Sequence, residues 1–198
     1  MKAFYYFIGF LAFLVTSCID NAAEGPIIDP GFTPVTGPDC ILITSEGGAP
    51  IGTFPDCQPT GQWTASELSE TELEFLNFAD TISSLLADSL HVSRAFAYPN
   101  PVAVNQRLNL GFTGISNDTV RIKLAIVDEQ LRIVRQETLK SDGSDLVDLL
   151  IDNSSFDPGA FYRIYYQVSG AQEAVFMEGF GDIYICRNGT VDSPQDCF

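Results

Sequence analysis

From residue 94 onward, hydrophobic and polar residues alternate with a period of two. Leu108, Leu110 and Phe112 interleave with Asn109, Gly111 and Thr113, and Val120, Ile122, Leu124 and Ile126 surround Arg121 and Lys123. Leu131, Ile133 and Val134 follow the Asp128-Glu129-Gln130 turn, and Leu146 to Ile151, Phe161 to Val168, Ala174 to Met177 and Ile183 to Cys186 complete the series. Gly, Pro, Asn, Asp and Ser separate these runs. Alternation over short runs with regular turn signals predicts a mainly β chain, with seven or eight strands forming an antiparallel β-sandwich over 94–198. Within that sandwich, Tyr162, Ile164, Tyr166 and Val168 share the core-facing side of their strand. Phe161, Arg163, Tyr165 and Gln167 share the other side.

Upstream the pattern changes. In the linking segment 63–93, Ser69-x-x-Glu72 and Thr71-x-x-Glu74 fit a capping box ahead of Phe75, Leu76, Ala79, Ile82 and Leu86. That spacing predicts a helix from about Glu70 to Leu86, the competing reading being a short helical turn followed by extended chain packed on the following domain. Residues 18–62 are rich in Gly, Pro, Asp and Thr and read as an extended tether containing one disulfide-closed loop.

The first 17 residues read as an export leader. Lys2 is the sole charge before the uncharged run Ala3 to Val15, which is too short to span a bilayer comfortably. It ends in Leu14-Val15-Thr16-Ser17-Cys18, which resembles the bacterial lipobox. The resemblance implies cleavage before Cys18, lipidation of its thiol and attachment to the outer membrane, on its periplasmic or surface face. Two or three acyl chains, at ~0.8 kcal/mol per buried CH₂, hold a protein on a membrane without any spanning segment.

Four cysteines remain: Cys40, Cys57, Cys186 and Cys197. An even number in an exported chain predicts disulfides, with three possible connectivities. Nearest-neighbour pairing closes two short loops, and a ring of this size stabilises by about 3 kcal/mol. Neither pair has the C-x₂₋₄-C spacing of a zinc site, and no metal or other cofactor is expected.

Charge is unevenly spread. Residues 19–93 carry 12 Asp and Glu and no Lys or Arg, whereas residues 94–198 carry 14 acidic and 9 basic residues. A formal charge of −16 excludes nucleic acid as a partner, since phosphate contacts need clustered cations. The acidity thus lies mainly between the lipidated end and the sandwich.

Tyr98-Pro99-Asn100-Pro101, the Val127-Asp128-Glu129-Gln130 turn and Asp157-Pro158-Gly159-Ala160-Phe161-Tyr162 form an ordered set of short motifs. The set resembles the C-terminal sorting domains of type IX secretion cargo over about residues 95–177, with Gln130 where that family has Gly. The resemblance implies an immunoglobulin-like sandwich and, as a functional expectation, a role in sorting or attachment. Pro99 and Pro101 also have a plain structural role, because neither can donate to a sheet ladder.

No catalytic constellation emerges, so a non-enzymatic role is expected. His91, the single histidine, has no nucleophile elbow beside it, and Glu70, Glu72 and Glu74 read as a solvated acidic face. Asp142-Gly143-Ser144-Asp145 reads as a tight turn rather than a calcium loop. Phe161, Arg163 and Tyr165 form the candidate binding surface, mixing rings with a hydrogen-bonding group suited to a glycan or protein partner, against the plainer and favoured reading in which these side chains pack across the sheet or under the N-terminal segment. The expected function is a lipid-anchored envelope protein that presents its sandwich for binding or assembly. The alternatives are a carbohydrate-binding accessory lipoprotein and a type IX sorting or attachment domain. Thr81, Ser89 and Thr119 sit in Asp-Ser/Thr-aliphatic triplets that resemble bacterial extracytoplasmic O-glycosylation sites. Modification there predicts hexose-scale increments in the intact mass of native protein; a single unmodified mass removes the assignment.

Overall fold

The computed structural model describes residues 32, 35, 37, 39–58, 63–78, 94–113, 119–142, 146–152, 154–170, 175–187 and 197–198. Cys18, Thr81, Ser89 and His91 lie outside these residues. The described residues form a hairpin, β1 (Ile41–Thr44) with β2 (Pro50–Phe54), followed by β3 (Trp63–Ala65) and one helix, α1 (Glu70–Phe75). Then come β4 (Arg94–Tyr98), β5 (Arg107–Thr113), β6 (Thr119–Val127), β7 (Ile133–Asp142), β8 (Leu146–Leu150), β9 (Phe161–Ser169) and β10 (Val175–Tyr184). All named strand pairs are antiparallel, in a five-stranded sheet ordered β3-β10-β9-β6-β7 and a three-stranded sheet ordered β4-β5-β8.

The expected sandwich is present. The alternating side chains of β5, Leu108, Leu110 and Phe112, meet Ile122, Leu124, Ile126, Ile164, Tyr166 and Val168 from the facing sheet in one buried core. The two runs read as separate strands at 174–177 and 183–186 are instead joined. Gly179 and Gly181 continue one ladder opposite Tyr166 and Ile164, giving the single strand β10.

The segment assigned to tether and linker is also part of the folded unit. β3 pairs with β10 through Trp63 and Gly181, and the β1–β2 hairpin bridges to Asn100. Helix α1 starts at the Ser69–Glu72 capping box but stops after Phe75, far short of Leu86. Asn77 takes a left-handed φ of 53°, Phe78 N donates to Leu73 O and Asn77 N donates to Glu74 O. This is a Schellman ending built on Asn instead of Gly. Residues 79–86, the rest of the expected helix, lie outside the described residues. The left-handed position in the β6–β7 turn is likewise Leu131 (φ 58°), one residue beyond Gln130. Asp128 holds that turn by accepting from Gln130 N and Arg132 N, each at 2.9 Å.

Glycine shapes both sheets where a ring must lie close to backbone. Gly111 is paired with Phe96, whose ring occupies the place of a side chain: a Cβ there would stand 2.3 Å from Cζ of Phe96. Gly111→Ala is expected to destabilise the fold by about 1–3 kcal/mol through overpacking. Adding Phe96→Leu should recover most of that loss in a double-mutant cycle followed by urea unfolding; independent, additive effects would contradict the contact.

Candidate functional site

The strip expected to face solvent on β9 is covered. Tyr165 is fully buried and Arg163 is buried, while Phe161 is half-buried. Phe32, Val35, Leu68, Leu76 and Phe78 pack over Ala125, Val127, Leu131 and Tyr165, forming a second hydrophobic cluster on the outer side of the five-stranded sheet. The binding-surface reading fails and the packing alternative holds, because residues N-terminal to the sandwich supply a third layer. The alternation of β9 records only which residues share a face, and here both faces are interior.

The charged groups buried under that layer are matched, whereas the buried Tyr165 hydroxyl makes no hydrogen bond among the described residues. Arg163 Nε and Nη2 donate to Asp182 Oδ1 and Oδ2 at 2.7 and 3.0 Å, and the guanidinium lies 4.4 Å from the Phe180 ring centroid. Burial alone would lower the pKa of Arg163, but the hydrogen bonds and charge of Asp182 outweigh it and hold the pKa above its ordinary value. Burial raises the pKa of the adjacent Tyr165 hydroxyl, keeping it neutral. Glu178 joins sheet to cover: Oε2 accepts from Gln167 at 3.1 Å and Oε1 from Leu68 N at 2.8 Å. Lys123 Nζ and Gln136 Nε2 donate to the carbonyls of Phe78 and Leu76, which supplies partners at the end of α1. This face is an internal interface.

The other sequence candidates are scattered. Thr119 is exposed at the first position of β6, away from the acidic helix. Glu72 is the buried member of the α1 cap, its carboxylate accepting from Ser69 N at 2.8 Å, so it is not part of a solvated acidic face. Among the described residues, no three His, Cys, Asp or Glu side chains group as metal ligands.

The cysteines pair as neighbours, Cys40 with Cys57 and Cys186 with Cys197. Their loops meet at one end of the sandwich through a ladder of rings. Phe54 stacks on Phe198 at 3.8 Å and Phe198 on Tyr184 at 4.9 Å, while Phe161 tilts against Tyr184 at 4.8 Å. A cleft of about 680 Å³ opens beside the ladder, with Glu129, Gln130 and Arg187 in its lining. The ladder rings are used chiefly on one another, each of the inner faces being covered by the next ring.

A second cleft, of about 450 Å³, runs beside β4. Trp63 lines one wall, the hairpin residues Leu42, Thr44, Gly48 and Pro50 another, and the whole of β4 from Arg94 to Tyr98 its floor. Neither Trp63 nor the Phe96–Tyr98 pair stood out from the alternation. Their signal lies in the cross-strand glycines, Gly181 opposite Trp63 and Gly111 opposite Phe96, which only the register reveals.

No family model matches the chain, and no curated protein is significantly similar to it.

The buried ion pair gives a direct check on the covered face. Asp182→Asn is expected to cost about 3–5 kcal/mol by leaving Arg163 buried without its counter-charge. Adding Arg163→Met should return part of that loss in chemical denaturation; a surface-like change below ~1 kcal/mol for Asp182→Asn would show the face to be open.

Proposed function

We propose that this chain is a non-enzymatic, lipid-anchored protein of the cell envelope, held at the outer membrane through Cys18 and presenting its sandwich for binding or assembly. The observation that carries this reading is how soon the chain docks on its own domain after the lipobox-like cysteine. Phe32 and Val35 are already buried against the five-stranded sheet, so only thirteen residues lie between Cys18 and Phe32. Fully extended, that stretch reaches at most roughly 50 Å. The anchor would hold the sandwich close to the lipid surface on a short acidic leash, shorter than the composition alone implied.

Two further features support an envelope location. The disulfides close loops that adjoin the ring ladder, and disulfides persist in oxidising compartments. Among the described residues, no helix is long and apolar enough to cross a membrane, so attachment in this reading rests on lipid alone. Ligand contact then falls to a cleft of the sandwich, within the size range typical of binding sites.

Metabolic labelling of the full chain with a palmitate analogue tests the anchor. Wild type should be labelled and sediment with membranes, and Cys18→Ala should lose the label and move to the soluble fraction. A Cys18→Ala chain that keeps both label and sedimentation overturns the proposal.

A further inference from the structure

We propose that the cleft beside β4 binds a neutral glycan, whose sugar rings lie on Trp63, Phe96 and Tyr98. This deepens the binding-module reading and rests on it. Three rings in this cleft are each pressed flat on a glycine. A Cβ on Gly181 would stand 2.3 Å from the Trp63 ring, one on Gly111 2.3 Å from Phe96, and one on Gly48 3.2 Å from Tyr98. The planes of Phe96 and Tyr98 lie within 13° of each other, with centroids 5.9 Å apart. A ring seated this way spends one face on backbone and is held in a fixed orientation before any ligand arrives. Both rings remain half-buried rather than enclosed, as does Trp63. Packing alone explains why a ring covers each glycine. It does not require two such rings to be nearly parallel in the lining of a cleft of about 450 Å³.

Charge selects the ligand. Among the described residues, Arg94 is the one charged residue lining the cleft, and no carboxylate pairs with it. A cationic ligand would meet Arg94 with no acid among the described lining residues to offset it. A polyanion that stacks on rings, such as a single-stranded nucleic acid, meets a chain of formal charge −16. What remains is an uncharged molecule with flat apolar faces and polar edges. A pyranose has both: its C–H face lies on an aromatic ring, and its hydroxyls can accept from the guanidinium donors of Arg94.

Trp63 is the only tryptophan in the chain, so its emission reports on this cleft. The full mature chain should be titrated with neutral hexasaccharides of β-linked glucose, xylose, mannose and N-acetylglucosamine, and with tetragalacturonate as the anionic counterpart. At least one neutral hexasaccharide should shift the emission saturably. Phe96→Leu keeps an apolar side chain over Gly111 but removes the flat ring, and should weaken that response at least tenfold while thermal unfolding remains cooperative. Arg94→Gln, an exposed change, should weaken it severalfold. No response to any neutral hexasaccharide, a response that survives Phe96→Leu, or tighter binding of tetragalacturonate would each overturn the assignment. A failure here leaves Cys18 labelling untouched, so it is distinguishable from a failure of the anchored-module reading.

Discussion

The fold depends on the buried side chain of Asn100. Its backbone N donates to Thr44 Oγ1 and its carbonyl accepts from Thr44 N, both at 2.9 Å. Its amide donates to Asp182 O at 3.2 Å and accepts from Tyr184 N at 3.1 Å. Those four bonds join the β1–β2 hairpin, the end of β4 and strand β10, which belong to three different sheets. Pro99 and Pro101 on either side offer no N–H, so the chain there has no ladder of its own. Asparagine between them supplies both a donor and an acceptor from one side chain. Removing either would leave a buried group unsatisfied at about 1–3 kcal/mol.

Strand β10 carries the same residues into a second role. The backbone of Asp182 serves Asn100 while its carboxylate serves Arg163 on the neighbouring strand β9. The hairpin, both sheets and the covering layer are thus referenced to one short stretch, Asp182 to Tyr184. Beyond it, Val102 N donates to Tyr184 O and Cys186 N donates to Val102 O, which carries the link on to the second disulfide. The cover itself has few polar fixings, at Glu178, Lys123 and Gln136, and is held mainly by Phe32, Val35, Leu68, Leu76 and Phe78. Burial of such side chains is worth about 1.5–3 kcal/mol each before ordering costs, so the hydrophobic term decides whether the layer stays down.

The β-strands were legible because a half-buried strand must alternate, and β5 and β6 do so cleanly. The capping box at Ser69 was legible for a similar reason: it is local chemistry with a fixed spacing. What could not be read was set by distant partners. Alternation in β9 gives two faces and does not say that Leu76 and Phe78, about ninety residues earlier, will cover one of them. Gly179 and Gly181 looked like a break between strands because glycine is poor in a strand. In the register they accommodate neighbours, with Trp63 filling the space over Gly181. The end of α1 stayed open between a long helix and a short turn because Asn77 is one of the few non-glycine residues that readily turn left-handed, while the apolar spacing ran on past it. The cysteine pairing was open to three connectivities, and the structure takes the nearest-neighbour one.

The edges of the two sheets show why contact is directed to particular places. At β7, Arg135 and Glu137 stand opposite core-facing Ile126 and Leu124 and pair with each other at the rim of the core. Charges turned inward on an edge strand resist the addition of another strand. Arg135 also donates to Leu150 O on β8, so it satisfies an edge carbonyl of the other sheet from across the sandwich. That side is closed by charge. On the opposite side, near β4, the edges meet the hairpin and Trp63, and the residues there are rings, small side chains and one arginine. An edge protected by an ion pair excludes ligands along with unwanted strands, because any occupant must displace Arg135 from both Glu137 and Leu150. An edge protected by packed rings excludes strands by shape and still leaves flat apolar surface at the bottom of a cleft. The division of the sandwich into a charged margin and an aromatic one therefore has two physical consequences: inward charge disfavours strand addition along β7, and flat apolar surface is left beside β4.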